Sequence, residues 1–176
     1  NFSPIGVFSL PEYREQKLFH PPFLEILDYC YFQNFTHILA ATPGPLGLTA
    51  MAAARLLQLP VWGTYHTALP QYARYLTQDE TVVELIWKYI VWFYNQLDLI
   101  FVPSQSTAEE LEQKGINGDK MCLFPRGVDL KLFHPAKRNV FLASRFNLKD
   151  GVKLLYVGRV SREKNLEILA RVFKKL

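Results

Sequence analysis

The sequence predicts an α/β protein: a doubly wound parallel sheet followed by the first β-α unit of a second domain of the same kind. Three observations predict it. Short apolar runs rich in β-branched residues alternate with helical patterns. The runs are nearly continuous in apolar residues, as strands covered on both faces require. A turn containing Gly, Pro or Ser separates each run from the helix after it.

In chain order, the predicted strands are 37–41, 61–65, 99–102, 121–124 and 154–157, and the predicted helices are 46–57, 81–96, 106–114 and 163–175. Gly47, Ala50 and Ala54 give the first helix a smooth face for close packing on the sheet. Residues 85–97 are the most apolar stretch, but they are too short for a membrane span of about 20 residues and carry Lys88, Asn95 and Gln96. Ile86, Ile90, Phe93 and Leu97 recur there at helical spacing, with Trp87, Trp92 and Tyr94 on the flanks, the pattern of an aromatic helix covered by its neighbours. An alternative use of such a stripe is contact with a membrane surface or a lipid. Ser106-Thr-Ala-Glu109 reads as a capping box and Lys114-Gly115 as the stop of that helix. After Asp129 the rhythm breaks, and residues 130–151 read as a connector with Pro135 and Gly151. The organisation is therefore 1–135 as the first domain, 136–151 as connector and 152–176 as the start of a second domain. The opening residues read as the interior of a fold, with the natural start missing.

With 176 residues, 49% hydrophobic and 20% charged, the chain is long enough for one domain and a fragment, and its composition excludes disordered, fibrous and membrane-spanning classes. A net charge of +4 suits anionic ligands or an anionic surface and does not by itself argue for nucleic acid. Cys30 and Cys122 are far apart, so reduced, buried thiols are expected, and no metal-ligand cluster is visible. Asn1-Phe-Ser3 and Asn34-Phe-Thr36 match the glycosylation triplet, which we read as coincidence.

In open parallel sheets, ligands bind outside the carboxyl ends of the strands. The loops there read Thr42-Pro-Gly-Pro-Leu-Gly47, Gly63-Thr-Tyr-His-Thr67, Pro103-Ser-Gln-Ser-Thr107, Pro125-Arg-Gly-Val-Asp129 and Gly158-Arg-Val-Ser-Arg-Glu-Lys164. In the last of these, Ser161 is a natural N-cap for a helix starting near Arg162, yet Arg159, Arg162 and Lys164 crowd the positive end of that helix. Such cations cost a few tenths of a kcal/mol to about 1 kcal/mol each unless an anion joins them. A diphosphate would reverse the sign. The alternative is that the long side chains swing into water and Glu163 offsets part of the charge.

Gly158-Arg159, with Glu163-Lys164 following, resembles the G-R-x-x-x-E-K-G signature that opens the donor domain of glycosyltransferase family 4, whose members have the GT-B fold of two Rossmann-like domains. The upstream loops, with Phe101-Val-Pro-Ser104, Gly127-Val-Asp129 and Phe133-His-Pro135, fall in the order expected of that family. The resemblance implies an acceptor-side domain and the start of a donor domain. The implied donor-binding residues are Gly127, Asp129, Gly158, Arg159 and Lys164, with the Arg159–Lys164 pair holding the diphosphate of a nucleotide sugar. His66 resembles the active-site histidine and, with Arg159 and Lys164, makes up the catalytic set. Gly44, Gly47, Tyr65, Thr67 and Ser104 resemble the acceptor-side wall. Gly127 suits a turn needing positive φ, or an ordinary tight turn at a domain edge. Asn165 stands where the family has Gly.

The activity implied is retaining transfer of a hexose from a UDP- or GDP-sugar, without a divalent metal or other cofactor, to a carbohydrate or lipid acceptor. The wording Tyr65-His-Thr67, Leu69-Pro70, Tyr72 and Arg126-Gly-Val-Asp129 resembles members that act on lipids or membrane acceptors. A cytoplasmic place at the inner face of a membrane, glycolipid biosynthesis and no nucleic-acid partner follow from the same resemblance. The family's E-x7-E motif would lie beyond Leu176, so the chain by itself is expected to be inactive. Alternatives are a nucleotide-sugar epimerase or phosphorylase of the same fold, or a non-catalytic carbohydrate-binding module. The diphosphate site requires 154–157 to be a strand.

Overall fold

The computed structural model describes residues 2–10, 13–149, 151–161 and 164–175. The chain forms two compact units, 1–126 and 127–176.

The first unit begins with an antiparallel hairpin, β1 (Gly6–Leu10) and β2 (Tyr13–His20), in which Gly6 faces His20 and Phe8 faces Leu18. Phe2, Ile5, Val7 and Phe8 are exposed there. The expectation that these residues are the interior of a fold is thus corrected: among the described residues β1 and β2 form a ladder separate from the parallel sheet, while the Phe2 ring meets Tyr29 edge-to-face. Helix α1 (Phe23–Phe32) leads to β3 (Ile38–Ala40). The elements α2 (Pro45–Leu56), β4 (Val61–Thr64), α3 (Leu69–Thr77), α4 (Glu80–Asn95), β5 (Leu99–Val102), α5 (Gln105–Gln113) and β6 (Met121–Leu123) follow.

Strands β3, β4, β5 and β6 form one parallel sheet in chain order, with Ala40 beside Gly63, Gly63 beside Ile100 and Ile100 beside Met121. The predicted parallel α/β sheet is what the chain builds. Period-two alternation gives each strand two faces. Ala40, Val61, Ile100 and Val102 lie on one face and are buried, whereas Leu39 and Cys122 on the other are exposed; with Cys30 only half-buried, the expected burial of the two thiols is corrected. The closely covered face packs against α2, α4 and α5 through Met51, Ala54, Ile90, Phe93, Tyr94 and Leu111. Full burial of a side chain such as Phe93 contributes roughly 1.5–3 kcal/mol.

Helix α4 carries the predicted aromatic stripe, with Tyr94 in the core and not on a flank. Among the described residues, no helix is long and apolar enough to cross a membrane. The capping box at Ser106 is corrected: the N-cap is Ser104, two residues earlier, and its Oγ accepts the Thr107 N–H at 3.2 Å. Its stop is as predicted. Gly115, at φ +99, donates to Glu112 O, and Ile116 donates to Leu111 O, the paired bonds of a Schellman turn.

The second unit contains α6 (Phe141–Arg145) and α7 (Leu166–Phe173). Residues 154–157 form no strand, which corrects the predicted β-α unit. Their pattern suits a strand, but a strand exists only as a partner in a ladder. No described residue pairs with them. Val152, Val157 and Val160 are accordingly almost fully exposed. Helix α7 begins at Leu166 and not near Arg162, with Asn165 as N-cap at φ 49, ψ 37. Arg162 and Glu163 lie outside the described residues.

Candidate functional site

Because the four strands are parallel, the segments that follow them leave from one edge of the sheet. Three of these segments belong to the first unit and carry His66 and the acceptor-side candidates.

After β3 the chain runs through Thr42-Pro-Gly into α2. Gly44 is its N-cap and is half-buried, while Gly47 is buried. A Cβ on Gly47 would stand 1.8 Å from Thr42 O and 3.2 Å from Phe93 Cζ. Only glycine fits the approach of the helix to its own entry loop. The Tyr89 hydroxyl donates to Pro43 O, so α4 grips the same loop.

After β4 come Tyr65, His66 and Thr67. Tyr65 continues the alternation of Val61 and Gly63, and its side chain is 4% exposed. Its backbone N–H donates to Phe101 O at 2.9 Å, and its ring meets Tyr94 edge-to-face at 5.5 Å between centroids. The expectation that Tyr65 faces an acceptor is therefore corrected: strand alternation turns this ring into the core. Its hydroxyl has no hydrogen-bond partner among the described residues. Burial, and secondly the Glu110 carboxylate, push its pKa up to about 12. His66 is exposed and Thr67 half-buried, so these are the residues the loop offers to a ligand. Immediately before them, the Tyr94 hydroxyl donates to Thr64 O at 3.0 Å. Burial, then Tyr65 and Tyr89, raise the Tyr94 pKa further still.

After β5, Ser104 is exposed, but its Oγ caps α5 and lies 2.9 Å from Thr107 Oγ1. Its visible work is to fix the helix that forms this wall.

The donor-side candidates all belong to the second unit. Gly127 does not have positive φ and has open space where a Cβ would stand, which corrects the positive-φ reading of this glycine. The Asp129 carboxylate accepts the Lys131 and Leu132 N–H groups at 2.9 Å each, closing a local turn. Gly158, Arg159 and Lys164 are exposed, and Tyr156 Oη donates to Arg159 O at 2.8 Å. Asn165 takes the left-handed conformation that glycine accepts most readily and asparagine tolerates. The family's usual Gly would meet the same backbone demand.

The profile of Glycosyltransferase Family 4 matches residues 2–132, a span that contains all three acceptor-side loops. The chain belongs to this family. Among family relatives, the sulfoquinovosyl transferase SQD2 of Arabidopsis thaliana is 32% identical over 142 residues, 79% of this chain and 28% of that protein. A GDP-mannose-dependent alpha-mannosyltransferase of Corynebacterium glutamicum is 34% identical over 142 residues, 80% of this chain and 33% of that protein. The alpha-monoglucosyldiacylglycerol synthase of Streptococcus pneumoniae is 27% identical over 177 residues, 96% of this chain and 40% of that protein. In fold, the chain is similar to Anabaena Alr3699/HepE crystallised with UDP and glucose, with a TM-score of 0.67 at 16% identity, over 87% of this chain and 39% of that one. The chain thus spans between 28% and 40% of the relatives named here.

Sequence reasoning missed Tyr89 and Tyr94 as hydroxyl donors to the two loops. The available signal was chemical: tyrosine, not phenylalanine, at covered positions of an apolar helix, where a phenolic O–H needs a partner.

Proposed function

We propose that the protein carrying this chain is a retaining glycosyltransferase that moves a hexose from a UDP- or GDP-sugar to a lipid or glycan acceptor. The observation that carries this reading is the placement of family-matched loops, with His66 and Thr67 at the surface, along the carboxyl edge of the parallel sheet. In it, His66, Thr67, Gly44, Gly47 and Ser104 belong to the acceptor wall, the two glycines and Ser104 through the backbone shapes they permit.

On the donor side the reading rests on the family resemblance and not on the expected strand-to-helix junction, since residues 154–157 form no strand. In it, Arg159 and Lys164 neutralise the diphosphate as it departs with the bond electrons, with Gly127, Asp129 and Gly158 shaping the backbone nearby. Preorganised cations at a developing charge are commonly the largest catalytic term. The reaction uses no divalent metal in this reading. Support for the donor side is the resemblance around Gly158-Arg159 and Glu163-Lys164, together with the left-handed Asn165 in the family's glycine position. A lipid acceptor, and with it contact with a membrane surface, is supported by the name of the glucosyldiacylglycerol synthase among the relatives.

The test is turnover of UDP-glucose and GDP-mannose by the full-length polypeptide, with dioleoylglycerol in mixed micelles as a first acceptor. Arg159→Ala and Lys164→Ala should each lower kcat at least a hundredfold, given the ~2.7–4 kcal/mol typical of one lost transition-state contact. Wild-type turnover in both variants would remove these residues from the mechanism.

A further inference from the structure

We infer that Tyr89 and Tyr94 are positioning residues: two hydroxyls of one helix that set, separately, the two loops of the acceptor wall. The inference rests on the reading of that wall given above and adds to it the residues that hold its shape.

The geometry is specific. Tyr94 Oη donates to Thr64 O at 3.0 Å, two residues before His66, and Tyr89 Oη donates to Pro43 O, one residue before Gly44. Both tyrosines lie on α4, which is anchored independently of them by Ile90 and Phe93, each fully buried. A helix held in the core therefore reaches two loop backbones, the entry to α2 and the exit from β4. Rings alone would suffice for packing, since Tyr94 stacks edge-to-face on Tyr65 and on Phe93, and Tyr89 lies against Phe93 and Trp92. The hydroxyls add direction, because each fixes a carbonyl and with it the peptide plane that leads into the loop. Tyr65 supplies the contrast: it is buried at the same edge, as Tyr94 is, and its hydroxyl meets no described partner. The two α4 hydroxyls are thus not the incidental result of burying tyrosines here.

Tyr→Phe at each position deletes one oxygen and keeps the ring, so it separates positioning from packing. The experiment is amide hydrogen exchange on the full-length polypeptide, with amides of β5 as the internal reference for global stability. In Tyr94→Phe, amides of residues 65–69 should exchange roughly three- to tenfold faster relative to the reference, the factor expected for one lost net hydrogen bond. Amides of Gly44 and residues 46–48 should be unchanged. In Tyr89→Phe the pattern should reverse.

With UDP-glucose and dioleoylglycerol micelles, the same variants should raise the KM for dioleoylglycerol by a similar factor and leave the KM for UDP-glucose in place. If that acceptor is not turned over, exchange alone decides. Uniform acceleration of both loops and the reference, or no change in either loop, would overturn the inference and leave the tyrosines as packing residues. Exchange needs no turnover, so it distinguishes failure of the clamp from failure of the transferase reading.

Discussion

Replacing Tyr65 by Phe should stabilise the protein. The Tyr65 hydroxyl is buried without a described hydrogen-bond partner, and a buried polar group left in that state costs about 1–3 kcal/mol. Phenylalanine keeps the ring and its edge-to-face contact with Tyr94 at 5.5 Å. The void left by one oxygen is smaller than a methyl-sized cavity, whose cost is about 1 kcal/mol. The balance favours the variant by about 1 kcal/mol, which in a chain of this size corresponds to a rise in Tm of roughly 2–4 °C. Differential scanning calorimetry and urea unfolding of wild type and Tyr65→Phe measure it directly. A fall in Tm of several degrees would refute the reasoning, because it would mean that the hydroxyl makes a hydrogen bond worth more than its desolvation.

Three further outcomes follow from the same packing. Gly47→Ala should destabilise by at least about 3 kcal/mol, since a Cβ 1.8 Å from Thr42 O forces the α2 entry loop to move; urea unfolding would show it. Asn165→Gly should relieve a left-handed residue worth roughly 1 kcal/mol and slow amide exchange in the first turn of α7; faster exchange there would contradict the assigned geometry. Above neutral pH, Tyr65 has a folded pKa near 12 against an ordinary value of 10.0, so the stability it contributes is fully present below pH 10. That contribution is lost as pH rises from about 10 towards 12, because only the unfolded chain ionises there. The Tyr65 share of the tyrosinate absorbance, read as wild type minus Tyr65→Phe, should therefore rise in step with unfolding across this window, and not ahead of it.

Much of the sheet was legible because its strands are stated twice in the sequence, as β-branched runs and as runs bounded by turn residues. Val61–Thr64 and Leu99–Val102 are cases of this, and the helix after the second falls within a residue or two of expectation. Residues 154–157 carry the same local pattern without becoming a strand, since pairing is a property of two segments and a single run reports only one. Helix α3, directly after Val61–Thr64, is absent from the predicted elements, although Pro70 is well placed in a first helical turn. Within the candidate site, His66 and Thr67 were found through the family pattern, and His66 does stand exposed and Thr67 half-buried, whereas Tyr65 beside them is buried. Period two decides between such neighbours, but only once the strand is known to extend its alternation past Thr64. The hydroxyl bonds of Tyr89 and Tyr94 were hidden for a different reason. A hydrophobic stripe counts rings, and the oxygen at the end of a ring becomes informative only when the carbonyl it reaches is known.

The central claim is that this chain belongs to a protein built to hold a nucleotide diphosphate against Arg159 and Lys164. Isothermal titration of the full-length polypeptide with UDP and with GDP tests it most directly. The account predicts that one of the two nucleotides binds the wild-type protein and that the Arg159→Ala, Lys164→Ala double variant loses that binding. Absence of binding by both nucleotides to wild type, or undiminished binding by the double variant, would contradict it.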